Sequence, residues 1–407
     1  QWAMRAGKAI LWAAGKEPKL KVTLQTKSKE LARTTLPAAA ATLHWQGASP
    51  GIAADIRLRR DDGQVVLETK QVLNQPEGTL DLSIPLVRSG RYDLDVVARD
   101  GDRVAGFGNV RFAVVSQQKV LGLTLDQDWA EVGQKLAGKV QLAGAGGADQ
   151  RLVVSLVDRR GREIAQQITT ATAAEQAFRF DVQPWFPMLL TVRATLRDGA
   201  ADVASAWQFA RVVKRHRGRF NFVMWDTPHG TLAPCAEQAL ANTGVTVHLA
   251  HGSPRPPLAA YEMAWIPYTT HIGAPCQPAC WADGTSIQAH VDGIVEKHIP
   301  ARRHGVFAYS LGDEIAVRGS CVSSSCLAAY RKYLQEQYAD IAALNASWGS
   351  NYADFDEVQL SKPDDNDEAE SLRTGNFARW FDRQAYQSYN FCRLCERFGR
   401  GFRRIDP

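Results

Sequence analysis

The chain has 407 residues, 45% hydrophobic, 22% charged and 9% aromatic. That is the composition of a globular protein with room for roughly two to four domains, and it excludes a largely disordered or collagen-like chain. With 48 basic and 43 acidic residues the net charge is +5, too balanced to point to nucleic acid as a partner; no apolar run reaches the length of about 18 residues that would suggest a membrane span.

Residues 4–15 read MRAGKAILWAAG. The apolar part is short for a signal peptide, and Lys16 and Glu17 follow it at once. The chain opens Gln1-Trp2-Ala3 rather than on methionine, so residues 1–16 read as a strand or linker entering from an upstream segment.

From residue 17 to 214 short alternating runs are separated by turns: IRLRRDDGQVVL, TLDLSIP, then GRYDLDVVARDGDRV. Asp62-Gly63 and Asp100-Gly101 are hairpin signals, because glycine supplies the positive φ of a tight turn. A shift of 98 residues brings the pattern back. Ile56, Leu58 and Gly63 fall on Val154, Leu156 and Gly161; Leu80, Leu82 and Ile84 fall on Phe178, Phe180 and Val182; Asp100-Gly101 falls on Asp198-Gly199. A repeat of that size with about seven short strands predicts two tandem immunoglobulin-like β-sandwiches, at 17–116 and 117–214. They read as spacers, or else as carbohydrate-binding modules. The latter would need exposed aromatics, and Trp45, Trp129, Trp185 and Trp207 are scattered, with at least half expected in the core.

The cluster Lys214, Arg215, His216, Arg217 and Arg219 reads as a solvated linker, with a phosphate-binding patch as the other reading. Beyond it the period changes. Residues 219–226, 246–251, 262–268 and 305–314 read as strands, the first as a buried parallel one; 234–244, 286–299, 326–338 and 368–402 read as helices. Alternating β and α predicts a parallel sheet, and polar residues gather where its strands end, as at the active face of a (β/α)8 barrel. These are Asp226, His229, His251, Tyr268, His271, Asp313 and Glu314. Four strands make half a barrel, with Arg403–Pro407 as the entrance to a fifth, so residues 215–407 are expected to be a truncated TIM barrel within a longer protein.

Residues 307–358 are the most informative. A strand ending in a carboxylate, then a helix, then Leu344-Asn345 and Trp348-Gly349 in an LNxxWG pattern, resembles glycoside hydrolase family 42, the β-galactosidase-like retaining enzymes with TIM-barrel folds. The resemblance implies that Glu314 is the general acid/base and that a second carboxylate, at the end of a seventh strand, is the nucleophile. No carboxylate of this chain takes that place, so the chain by itself is expected to be inactive. The family has asparagine before the acid/base; Asp313 stands there. An ionised aspartate accepts from a sugar hydroxyl but cannot donate, and its charge beside Glu314 would raise the pKa of that group. Asn345, Trp348 and Gly349 read as structural. Trp225, Tyr268 and Trp281 are candidate platforms for sugar rings, with barrel core as the other reading, and His229, His251 and His271 are candidate sugar contacts or structural histidines.

Seven cysteines all lie in the second half. The resemblance implies no required cofactor but permits a structural zinc; Cys276, Cys280, Cys321 and Cys326 could form a four-thiolate site, or Cys321 could form a disulfide with Cys326 or with one of the other two. Cys392 and Cys395 share a helix face and read as buried packing or a redox pair. The acidic run at 364–370 reads as a solvated helix N-terminus. The expected partner is an oligosaccharide or polysaccharide, the expected location periplasmic or extracellular, and the family implies a homotrimer. The competing reading is a non-catalytic carbohydrate-binding or scaffold protein on a degenerate glycosidase barrel.

Overall fold

The computed structural model describes residues 2–16, 19–143, 149–225, 230–250, 257–272, 279–313, 315, 321–360 and 367–407. It is mostly β-sheet with a helical C-terminal region. By its contacts the chain divides into two compact units. The first is Gln1–Asp128, Gly133–Phe186 and Leu190–Ala210; the second is Trp129–Val132, Pro187–Leu189 and Arg211–Pro407.

The first element corrects the expected incoming strand: α1 (Trp2–Ala13) is a helix, and Gly15 follows it at φ +63°. Ala3, Ala6, Ala9 and Ala13 are distributed through it. Alanine is the strongest helix former, and only Ile10 is β-branched, so local propensity favours helix.

Two sets of eight strands follow. The first is β1 (Lys21–Thr26), β2 (Glu30–Ala32), β3 (Ala38–Gln46), β4 (Ala53–Arg60), β5 (Val65–Val72), β6 (Glu77–Ile84), β7 (Gly90–Asp100) and β8 (Arg103–Val115). The second is β9 (Lys119–Leu125), β10 (Trp129–Glu131), β11 (Lys135–Ala143), β12 (Gln150–Val157), β13 (Glu163–Thr170), β14 (Glu175–Asp181), β15 (Leu189–Asp198) and β16 (Ala201–Val213). β5 and β13, and likewise β8 and β16, start 98 residues apart. The sheet orders also repeat. The first set forms β1-β3-β6 and β2-β8-β7-β4-β5, the second β9-β11-β14 and β10-β16-β15-β12-β13.

Alternation drives this arrangement. Leu94, Val96 and Ala98 of β7 point inward with Ile56 and Leu58 of β4, and meet Leu43, Leu82 and Ile84 of the other sheet in one core. Each leucine, isoleucine and valine among them contributes about 1.5–3 kcal/mol of burial. The repeated hairpins keep their geometry: Gly63 and Gly161 lie at φ +83° and +81°, where a Cβ would be strained. None of the four scattered tryptophans is fully buried, contrary to the expected half. Trp185 and Trp207 are exposed, while Trp45 is half-buried and its Nε1 donates to the Gln75 carbonyl at 2.9 Å.

The second unit carries a parallel sheet of β17 (Phe222–Trp225), β18 (Val245–Ala250) and β19 (Ala264–Pro267). Between them lie α2 (Ala233–Asn242), after which Gly244 turns the chain at φ +95°, and the single turn α3 (Pro257–Ala260). β17 departs from the expected buried strand. Among the described residues it pairs with β18 alone, and Phe222, Val223 and Trp225 are exposed. The expected strand at 305–314 is reduced to two parallel bridges, Trp265 to Val306 and Tyr268 to Ser310. The described residues do not make a barrel.

Helices complete the unit: α4 (Gly284–Lys297), α5 (Ser324–Gln337), α6 (Ile341–Trp348), α7 (Asp367–Thr374) and α8 (Ala378–Ile405). Asp283 caps α4, accepting from Thr285 N and Ser286 N; Ser323 caps α5, accepting from Cys326 N. Ile287, Val291 and Val295 of α4 pack on Leu394, Phe398 and Phe402 of α8, an i, i+4 stripe. That stripe carries the helix to Ile405, so Arg403–Ile405 are helical rather than the entrance to a strand. The expected helix at 368–402 is two helices, broken at Gly375, φ +76°. The LNxxWG segment is structural, as its residues suggested. Asn345 Oδ1 accepts from Tyr352 N and Ser350 Oγ, Trp348 Nε1 donates to Asp382 at 2.7 Å, and Gly349 closes α6 at φ +68°.

The basic segment is not a solvated linker. Lys214 pairs with Glu262 at 3.3 Å, Arg217 donates to the Phe307 carbonyl, and His216 lies 2.6 Å from the Glu262 carbonyl. Burial lowers the His216 pKa below the usual imidazole range. Arg215 donates to Glu131 and Asp406, and the exposed Arg219 accepts from Asn221 Nδ2 through its carbonyl at 2.8 Å.

Candidate functional site

The polar cluster of the second unit forms where β19 ends. Tyr268 bridges to Ser310, and Thr269 holds the same carbonyl twice, through its N at 3.0 Å and its Oγ1 at 2.6 Å. Gly312 follows at φ +119°. A Cβ there would come within 3.2 Å of His271 Cα and Nδ1, so the close crossing needs glycine.

This crossing brings Asp313 to Tyr268 and His271. The Tyr268 hydroxyl donates to Asp313 Oδ1 and lies 2.9 Å from His271 Nδ1; Nδ1 is 3.7 Å from the same carboxylate oxygen. The two rings are nearly parallel, 11° apart at 6.4 Å. A phenol has one proton. With that proton donated in the hydrogen bond to Asp313, the Tyr268 oxygen can only accept from His271, which calls for the Nδ1–H tautomer. The cluster is half open to solvent, so it offers an acceptor and a ring face to a ligand at the strand ends.

The other expected ligand contacts distribute unevenly. Trp225 ends β17 with 52% of its surface exposed, free to act as a platform. Trp281 is 3% exposed and packs on Phe391 and the α4 core, so it is not an open sugar platform; it sits one residue past Cys280, where the chain turns under α5 and α8. Asp226, His229, His251, Cys276 and Glu314 lie outside the described residues. One pair had no signal in the residue pattern: His248 of β18 and Glu237 of α2, both buried, are joined through Nδ1 at 3.1 Å.

Cys280, Cys321 and Cys326 converge, with their sulfurs all within 4.8 Å of one another. Thiolates about 2.3 Å from a tetrahedral zinc lie just under 4 Å apart, so this donor set fits that metal with little adjustment. Ser323 Oγ donates to Cys280 Sγ at 3.1 Å and accepts from Cys321 at 3.2 Å. The helical pair differs from the packed one expected: Cys392 is exposed and Cys395 half-buried, and burial raises the Cys395 pKa.

Residues 289–393 match a family model described as beta-galactosidase, glycoside hydrolase family 42. The match runs from α4 through Asp313, Cys321, Cys326 and the LNxxWG turn into α8. That segment is therefore a glycoside-hydrolase-like region. No curated protein matches the chain. Among solved structures, it is similar to a tetra-tandem repeat from the extending region of a large adhesion protein, at 15% identity over 47% of this chain and 49% of that one, TM-score 0.21. It is also similar to a CARDB domain from Pyrococcus furiosus, at 14% identity over 24% and 95%, TM-score 0.19. A third is the Parabacteroides merdae β-glucuronidase, at 8% identity over 72% and 47%, TM-score 0.23. The chain spans about half the length of the first of these; at such TM-scores none carries an argument about fold or function.

Proposed function

We propose that the second unit belongs to a retaining β-glycosidase of the β-galactosidase type, acting on an oligosaccharide or polysaccharide. The observation that carries the reading is the family match across 289–393, which takes in Asp313 of the polar cluster. In this reading Glu314, next to Asp313, protonates the glycosidic oxygen as a second carboxylate attacks the anomeric carbon. It then takes a proton from the water that releases the sugar. We assign the nucleophile to none of the carboxylates described above. Asp313, held by Tyr268 and His271, accepts a hydroxyl of the bound sugar, and Trp225 offers its exposed ring to a pyranose face. Early-time proton NMR on a form of the protein that hydrolyses a β-galactoside tests this. The β-anomer should appear first and mutarotate later; an α-anomer as first product contradicts the mechanism.

The same reading places a structural zinc on Cys280, Cys321 and Cys326, with Cys276 as fourth ligand. Metal analysis of protein purified without chelator should find about one zinc per chain, and chelation should lower the melting temperature. Cys326→Ser should lose the metal. Thiols at Cys321 and Cys326 that resist labelling without metal, and are freed only by a reductant, would show a disulfide instead.

A further inference from the structure

The polarity of the hydrogen bonds at the end of β19 decides what kind of group the cluster can take. Asp313 Oδ1 accepts the single Tyr268 proton, and His271 Nδ1 lies 2.9 Å from the Tyr268 oxygen and 3.7 Å from Oδ1. These contacts use one carboxylate oxygen and one ring nitrogen. The other two atoms, Asp313 Oδ2 and His271 Nε2, have no partner among the described residues. In the Nδ1–H tautomer Nε2 carries a lone pair, so both atoms are acceptors. Both side chains are open to solvent, His271 at 51% and Asp313 at 40%. The cluster thus offers two acceptors to a ligand and no donor, because the phenol proton is already committed.

Charge points the same way. Among the described residues no lysine or arginine pairs with Asp313, and its hydrogen bonds come from neutral groups. Nor is it a freely rotating surface acid: the Gly312 crossing and the Tyr268 hydroxyl fix it in place. A sugar hydroxyl both donates and accepts, so its accepting half finds no match here. A primary ammonium has three N–H donors and no lone pair, and its hydrogen bond to a carboxylate is about twice as strong as a neutral one. Among sugars the group of that kind is the free amine of a hexosamine. N-acetylation removes its charge and adds a carbonyl acceptor, which the cluster cannot satisfy.

We propose that this cluster binds the ammonium of an amino sugar, so that the preferred substrate of the site is a β-linked hexosamine with a free amine. This rests on the glycosidase reading and narrows its sugar. A β-galactoside still binds, with a hydroxyl in the place of the amine, but more weakly.

The test is a ligand-observed NMR titration of the 407-residue chain at about pH 7, where an aliphatic amine is mostly protonated, and at constant ionic strength. The probes are methyl β-galactosaminide, its N-acetyl derivative, methyl β-galactoside and methylammonium chloride. The galactosaminide should bind about tenfold or more tighter than the galactoside, and the N-acetyl derivative and methylammonium should bind more weakly than the galactosaminide. Asp313→Asn restores a donor beside the acceptor and removes the charge, so it should erase the preference for the amine and leave the galactoside bound as before. The comparison within the unaltered chain stands whether or not that variant folds. A galactoside that binds as tightly as the galactosaminide, a preference that survives Asp313→Asn, methylammonium as tight as the amino sugar, or no saturable response to any sugar would overturn the proposal. The anomer first released on hydrolysis is a separate measurement. A β-anomer together with a preference for the galactoside defeats the amino-sugar assignment and leaves the glycosidase reading standing; an α-anomer defeats the mechanism whatever the binding order.

Discussion

Asp406→Ala should destabilise the second unit by about 3–5 kcal/mol, because it removes the buried half of an ion-pair network. The Asp406 side chain is fully buried. It accepts from Arg215 and from the Tyr309 hydroxyl at 2.9 Å, with Arg302 Nε 3.8 Å away. Arg215 also grips Glu131 with both terminal nitrogens, at 3.0 and 3.1 Å, and Arg302 Nη2 reaches Glu131 at 2.7 Å. Two guanidinium groups thus share two carboxylates, and the loss of Asp406 leaves two cations on one half-buried anion. Tyr309, whose pKa burial raises above the usual phenol range, would lose its acceptor as well. Urea denaturation followed by tryptophan fluorescence measures the effect. A loss below about 1 kcal/mol would mean that the network behaves as a surface pair.

The same network sets an acid limb. Hydrogen bonds from Arg215 hold the Glu131 pKa below its ordinary 4.5, against an opposing contribution from burial. A carboxylate lowered on folding contributes stability above its unfolded pKa and loses it as pH falls through the folded one. The melting temperature should therefore be flat down to about pH 5 and decline below it, and Glu131→Gln should flatten part of that decline.

What could be read from the residues was local. The repeat was visible because hairpin glycines and inward-facing residues sit a few positions apart, and Leu58 and Leu156, or Gly63 and Gly161, need only their own neighbours to define a strand and turn. The helix periods of α4, α5 and α8 were visible for the same reason. The misses depended on remote partners. Arg215 finds Glu131 and Asp406 at separations of 84 and 191 residues, so a charge run looked like a linker. Apolar content marked β17 as buried, yet exposure depends on how many strands flank it, which no local pattern states. Trp281 looked like a platform because its place under α5 and α8 comes from the fold of later helices. At the candidate site, Asp313 could be singled out, but its bond to Tyr268 spans 45 residues and needed the Gly312 crossing. Cys280, Cys321 and Cys326 were grouped with Cys276 from the family resemblance; that three of them converge is a property of the fold.

Glu314→Ala should lower hydrolysis of a natural β-galactoside about a hundred- to ten-thousandfold, the usual contribution of a positioned acid/base. The reason lies in the leaving group. A sugar alkoxide departs only when protonated, and in this reading Glu314 is the group that protonates it. An activated aryl galactoside needs no such help, so it should still form the glycosyl-enzyme and then stall, because water has lost its base. Azide needs no base to attack. The most direct measurement is therefore turnover of an activated aryl β-galactoside by Glu314→Ala, in a form of the protein that cleaves it, with and without azide. The account predicts that azide restores turnover and yields β-galactosyl azide. Undiminished hydrolysis of the natural substrate by that variant, or turnover indifferent to azide, would contradict it.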